Sequence, residues 1–345
     1  MKHRRTELLT LLAIVSGIVN FTLAGTASAA APAEADVQGI YEGTGGDAMA
    51  ACKIEARIVA QGNGNYNVFI RRIPCSGEIV RAELQGKTVD DAVTITGKAG
   101  EVQWQGQYAA GTIKGECCPG GPFELKRVER KSPTLDKKPP EGAVVLLDGV
   151  NFAEMTHANG TALEPDKLDI GADHSIQVPK GGMNSQRTFE GNFDLHVEFL
   201  IPLMPGAHGQ GRGNSGVYLP NRDEIQVLDS FGEGTYTGGG CGGLYAYKDP
   251  DPMEPIESLA GKPEGKFSLA SLPPLCWQTF DVEYRVGTPD GKAHVTVCHN
   301  GVKIHDNAEL RNPPNNPSKF HFQDHGNPVR YRNIWVLPVA TPPKP

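Results

Sequence analysis

After its first thirty residues this 345-residue chain has no long stretch of helical periodicity, and no apolar run there is long enough to cross a bilayer. Those two gaps exclude a helical bundle and a polytopic helical membrane protein. Clustered basic charge is also missing. The net charge is -7, and the densest basic run beyond the first few residues, KRVER at 126–130, is short and mixed in sign. Nucleic acid and anionic membranes, which need a basic face, are therefore excluded as partners. There is no CxxC pair and no Cys/His spacing of the kind that holds zinc. What the chain has in quantity is glycine (42) and proline (27), on an ordinary soluble background of 39% apolar and 21% charged residues. That is the composition of an all-β protein with many turns.

The first five residues are basic, residues 8–24 are largely apolar, and Ala27-Ser28-Ala29 fits a small-residue cleavage site. Residues 1–29 read as a secretory signal peptide, so the expected location is secreted or periplasmic. That compartment permits disulfides, and the expected pairs are Cys52 with Cys75 and Cys241 with Cys276. Adjacent Cys117 and Cys118 would close a strained ring and are not expected to bond to each other.

Residues 36–130 alternate apolar and polar residues in short segments broken by glycine turns, which predicts a small antiparallel barrel or sandwich. Trp104, Tyr41 and Tyr108 there could form a sugar-stacking platform or fill a core. Residues 131–141, KSPTLDKKPPE, form a proline-stiffened linker. Residues 142–338 hold about nine further strand candidates, the pattern of a double-sheet sandwich. Long irregular stretches at 202–213 and 232–274 would rim one mouth of it. Every acid/base candidate lies beyond the linker, so the first domain is expected to have no catalytic part.

Those candidates centre on GNSGVYLPNRDEIQVLDS at 213–230. An apolar run meets a turn at Pro220–Asp223 and returns, which predicts a hairpin. Alternation sets Glu224 and Gln226 on one face, and a bulge near Val227-Leu228 would bring Asp229 to join them. Paired carboxylates beside an amide suit acid/base work on a sugar. A second set is His321, Gln323 and His325, which alternation also puts on one face. Two histidines with Glu224 could hold a divalent metal, although hydrogen bonding to sugar hydroxyls fits them better, and no cofactor is assigned. Arg330 and Arg332 alternate with Tyr331 and Asn333, so one pair faces inward. Asn214 stands at the mouth of the sheet, and Tyr245 or Trp277 could stack on a sugar ring.

The ordered motifs VLLDG at 145–149, NSGVYL at 214–219, EIQVLDS at 224–230, CGGLY at 241–245, WQTFDVEY at 277–284, Asn300-Gly301 and QDHGNPVRYRNIWV at 323–336 resemble the 3-keto-disaccharide hydrolase domain family. The resemblance implies a concanavalin-like jelly roll acting on 3-keto-glycosides. Glu224-Ile-Gln226-Val-Leu-Asp229 is also similar to the E-x-D-x-x-E signature of laminarinase-type retaining glucanases, in which the first Glu is the nucleophile and the last the acid/base. Gln226 and Asp229 both depart from that signature, which turns the expectation from retaining displacement toward elimination. A ketone at carbon 3 acidifies the hydrogen on carbon 2, so one base and one acid suffice. The expected catalytic residues are Glu224 or His325 as base and Asp229 as acid. The expected substrate contacts are Asn214, Gln226, Tyr245, Gln323 and Arg332, with carbohydrate as the partner. The rival reading is a lectin-like module on the same fold.

Overall fold

The computed structural model describes residues 31–46, 52–73, 78–118, 120–288, 290–314 and 317–340. Residues 1–29, expected to be a signal peptide, and Cys75 lie outside the described residues. In the first half the alternating segments become strands β1 (Gly39–Gly45), β2 (Cys52–Gly62), β3 (Asn65–Ile73), β4 (Val80–Val89), β5 (Ala92–Ala99), β6 (Val102–Ala109), β7 (Thr112–Cys118) and β8 (Gly121–Val128). Each pairs antiparallel with the next, and β8 returns to β1, so the sheet closes into a barrel. Alternation sends Ile54, Ala56, Ile58, Val68, Leu84 and Ile95 inward. Tyr41, Trp104 and Tyr108 join them in the barrel core, which removes them as a sugar platform.

The second half folds into strands β9 (Val144–Leu147), β10 (Met155–His157), β11 (Ile176–Gln177), β12 (Met183–Ser185), β13 (Asn192–Leu200), β14 (Ser215–Tyr218), β15 (Glu224–Val227), β16 (Met253–Pro255), β17 (Lys266–Ser268), β18 (Trp277–Arg285), β19 (His294–His299), β20 (Val302–Glu309), β21 (His321–Phe322) and β22 (Arg330–Val339). One antiparallel sheet runs β10-β12-β21-β14-β15, and the other runs β11-β22-β13-β18-β19-β20 with β9 on β22. Met183, Val217, Ile225 and Phe322 from the first sheet meet Leu195, Val197, Phe199, Phe280 and Tyr331 from the second in one apolar core. The architecture is all-β, a jelly-roll sandwich preceded by a small antiparallel barrel. Cys241 lies in this core, whereas Cys276 packs on a separate cluster, so the expected bond between them does not form. Cys117 and Cys118 are likewise not bonded to each other.

Residues 131–141 do more than tether. They lie along the outer face of the second sheet, where alternation in β13 and β18 turns His196, Glu198, Thr279 and Asp281 away from the core. Thr134 Oγ1 donates to Asp281 Oδ2 (2.6 Å), the Asp136 amide donates to Glu198 Oε1 (2.5 Å), and Asn333 Nδ2 donates to the Lys137 carbonyl (3.0 Å). Beneath this strap His196, with no exposed surface, stands 2.9 Å from Asp281 Oδ1 and 3.4 Å from Glu198 Oε1, and it stacks on Trp335.

The barrel is joined to the sandwich through the outer faces of β1, β2 and β3. Ile40, Val59 and Phe69 pack on Phe231, Ile256, Phe267 and Leu272. Buried Arg57 crosses from β2 to donate to the carbonyls of Ser268 (3.3 Å) and Leu269 (2.8 Å), with its guanidinium over the Phe231 and Phe267 rings. Arg71 (3.3 Å) and Arg81 (2.7 Å) pair with Glu254 of β16. A fragment cut at the linker would therefore expose an apolar cluster and several unpaired charges.

The strap predicts a pH-dependent contribution to stability. Burial pulls His196 down, but the hydrogen bonds and charges of Asp281 and Glu198 outweigh it, so His196 sits above its usual 6.5. A raised histidine contributes stability in full below the unfolded value and loses it as pH rises through the folded value. Replacing His196 by Gln should cost about 3 kcal/mol at pH 6, in the range for breaking a buried pair, and clearly less at pH 9. Urea unfolding of both proteins at the two pH values measures this, and an equal cost at both would show that the imidazole is neutral throughout.

Candidate functional site

The predicted hairpin forms, with Leu219 N–H donating to the Asp223 carbonyl (2.9 Å) across the turn and Arg222 at φ 70°. Register then organises the polar face of the five-stranded sheet. Thr156 is opposite Asn184, Asn184 opposite His321, His321 opposite Tyr218, and Tyr218 opposite Glu224. Directly paired residues share a face, so these five side chains form one row across five strands, on the side away from the apolar core. In the adjoining row Gln226 is opposite Gly216, and Gln323, whose N–H donates to the Gly216 carbonyl (2.9 Å), follows it.

Glu224 is 5% exposed, and removal from water pushes its carboxyl up to about 7, with the Tyr218 hydroxyl bond pulling partly the other way. Gly216 makes room for it: a Cβ at that position would stand 1.9 Å from Glu224 Oε1. The Gln226 amide stands against the Glu224 carboxyl. Turned with its nitrogen toward the carboxylate, it donates to the Ser215 carbonyl (2.9 Å) and to Glu224 Oε1 (3.2 Å). Turned the other way, it donates to Gln210 Oε1 (2.9 Å), but its oxygen then faces the Ser215 carbonyl oxygen as well as Glu224, so the first orientation is favoured.

His321 is half-buried and faces the Tyr218 ring edge-on, with centroids 5.4 Å apart. Its Nδ1 is 2.7 Å from Asn184 Oδ1, and the Asn184 nitrogen donates to the Ala158 carbonyl (3.2 Å). That second bond turns the Asn184 oxygen toward the ring, so Nδ1 carries the proton and Nε2 has a free lone pair. Burial and the Arg222 charge lower the His321 pKa, which keeps the ring neutral. His321 and Glu224 are two strands apart, about 10 Å between Cα atoms, with Tyr218 between them.

Tyr245 joins the rim. Its N–H donates to the Glu224 carbonyl (3.0 Å), and its hydroxyl meets that of Tyr236 at 2.7 Å, both rings being partly exposed. Gln323 Nε2 is 3.5 Å from the Tyr218 hydroxyl. Asn214 is buried behind Gln226, donating to Gln210 Oε1 (3.0 Å), while its own Oδ1 has no partner among the described residues.

Three expected site residues are placed elsewhere. Strand β21 ends at Phe322, so the alternation that was to carry His325 onto the face stops, and His325 stands exposed in the turn beyond. Arg332 lies on the other sheet's outer face. Its Nε donates to Glu198 Oε2 (2.8 Å), its NH2 to Asp136 Oδ1 (2.9 Å), and it covers the Trp277 ring, because Tyr331 takes the inward position in β22. Trp277 is thus engaged outside the site. Asp229 does not join Glu224 through a bulge. β15 ends at Val227, and the Asp229 carboxylate accepts from Arg212 Nε (2.6 Å) and the Phe231 N–H (3.2 Å). Burial pushes this carboxyl up against the pull of the Arg212 guanidinium, and both of its oxygens are engaged away from the polar row, which leaves it no approach to a substrate held there. Sequence reasoning passed over His321 as an acid/base group, although its place in the alternation with Gln323 was the signal. Among the described residues no group of three or more His, Cys, Asp or Glu is set to hold a metal ion.

A cleft of about 650 Å³ lies near Glu224 but is not lined by it. It lies beside the polar row, between the barrel and the sandwich, and shares Gln210 and Tyr236 with it.

A family model described as the 3-keto-alpha-glucoside-1,2-lyase-like domain matches residues 142–337. Among solved structures, a candidate glycosyl hydrolase from Parabacteroides distasonis is 26% identical, covering 58% of this chain and 85% of its own, at a TM-score of 0.47. A xylan beta-1,4-xylosidase from Bacillus halodurans is 8% identical, covering 83% of this chain and 65% of its own, at a TM-score of 0.31. No curated protein matches.

The Asp229 placement predicts a structural role. Asp229→Asn leaves the buried Arg212 charge unpaired and should lower stability by about 3 kcal/mol, as breaking a buried pair does. Per folded molecule the variant should keep its activity. A fully folded variant that has lost its turnover would return Asp229 to the chemistry.

Proposed function

This chain belongs to the 3-keto-alpha-glucoside-1,2-lyase-like domain family, and on that premise we propose that it cleaves the glycosidic bond of 3-keto-glycosides by elimination across carbons 1 and 2. The supporting observation is the pairing, in one row of the sheet, of a carboxyl pushed up to about 7 at Glu224 with a neutral His321 whose Nε2 is free. Two titratable groups set in complementary states by their surroundings are what an acid/base pair requires.

His321 Nε2 takes the proton from carbon 2, made acidic by the neighbouring ketone. The electron pair forms the bond between carbons 1 and 2 as the bond from carbon 1 to the glycosidic oxygen breaks. Protonated Glu224 gives its proton to that oxygen, and the products are the free leaving alcohol and an unsaturated 3-keto sugar. Addition of water across the new double bond would complete a net hydrolysis. Charge developing on the ketone oxygen needs donors, and the Tyr218 hydroxyl and Gln323 amide stand between and beside the pair. The reaction needs no enzyme nucleophile, so Glu224, which holds the nucleophile's place in the glucanase-like signature, is free to serve as the acid.

Two tests follow. With Glu224 as the acid, kcat/KM should fall as pH rises through about 7, and Glu224→Gln should lose about 10²- to 10⁴-fold while staying folded. A rate that instead rises through that pH would make Glu224 the base. A substrate carrying deuterium at carbon 2 should lose the label to solvent during turnover, and its complete retention would rule out elimination.

A further inference from the structure

We propose that the barrel supplies one wall of a leaving-group subsite, so that an uncharged second sugar or polyol released from the substrate is bound in the cleft between barrel and sandwich. This rests on the acid/base assignment above. Glu224 is on β15, the outermost strand of its sheet, and His321 lies two strands inward. A ring whose carbon 2 faces His321 must direct its glycosidic oxygen toward Glu224, so whatever that oxygen carries extends beyond the β15 edge. The 650 Å³ cleft is reached from there past Gln210 and Tyr236, two of the residues that line it. Gln210 bridges the polar row and the cleft: it lines the cleft and hydrogen-bonds the Gln226 amide across 2.9 Å. Tyr236 lines it too, with its hydroxyl on Tyr245 (2.7 Å).

The barrel's outward stripe on β3 and β4 changes character along its length. Arg71 and Arg81 form ion pairs with Glu254, and Phe69 packs on Phe267. One step further, Asn67 and Gln85 are paired across the strands and face the cleft, and neither side chain makes a hydrogen bond to a described residue. Two free amides facing the amide of Gln210 and the ring of Tyr236 are groups that bind sugar hydroxyls. Glu83, Glu233 and Glu264 also line the cleft, which disfavours an anionic ligand.

The test uses the full chain with Asn67 and Gln85 both replaced by Ala, positions outside the acid/base pair. Turnover is compared for a 3-keto-disaccharide and for the 3-keto methyl glycoside of the same sugar. Losing two hydrogen bonds should raise KM for the disaccharide about tenfold and leave the methyl glycoside unchanged. Equal behaviour of variant and wild type on both substrates, with both turned over, would overturn the subsite and leave the acid/base reading intact. If the wild type turns over neither, that reading fails and the subsite fails with it.

Discussion

Everything that gives this protein its shape near the site depends on one guanidinium that has no exposed surface. Arg212 donates to Asp229 Oδ2 (2.6 Å), to the carbonyls of Pro205 (3.2 Å) and Ala207 (3.2 Å), and across to the Ala60 carbonyl in the barrel (3.0 Å). A buried charge is tolerated only when it is paired and fully hydrogen-bonded, so these partners constrain one another. The pair fixes the exit from β15, the approach to β14 and the seating of β2 on the sandwich. Gln210, two residues before it, is held in the same loop, and Gln210 connects the polar row to the cleft.

Second to that constraint is the row itself. Its members come from five strands scattered between Thr156 and His321, and only sheet order brings them together. Burial sets Glu224 and His321 in opposite directions from their usual values, the first upward and the second downward, because both lose water and neither has a charged partner of opposite sign beside it. The proposed roles of the two groups as acid and base would draw on that cost in folding free energy.

Much of this could be read before any coordinates. Alternation over Glu224 and Gln226, the Pro220–Asp223 turn and the glycine punctuation give the hairpin, the all-β class and the double sheet, since those depend on local geometry. What could not be read depends on distant partners or on where a strand stops. Nothing local to Asp229 signals an arginine seventeen residues earlier. Alternation leaves the facing of Arg332 undecided until Tyr331 is seen to fill the core. Alternation from His321 reaches His325 only if the strand continues, and β21 ends at Phe322. The strap and the barrel seam involve side chains more than a hundred residues apart, such as Thr134 with Asp281, and composition alone marks that segment only as a stiff linker.

The edge of the sheet that bears Glu224 has one more property. β15 is the last strand, and an open edge of short apolar and amide residues is a template on which another chain can add a strand. Here the position beyond it is taken by a loop, with Leu244 bridged to Ile225 and the Gln226 N–H donating to the Gly243 carbonyl (2.9 Å). The glycine-rich turn that carries Tyr245 to the rim thus also occupies the ladder on which a further strand would add. The same few residues stand at the rim of the row and close its edge, so a substitution there that reshaped the rim would also have to keep the bonds to Glu224 and Gln226.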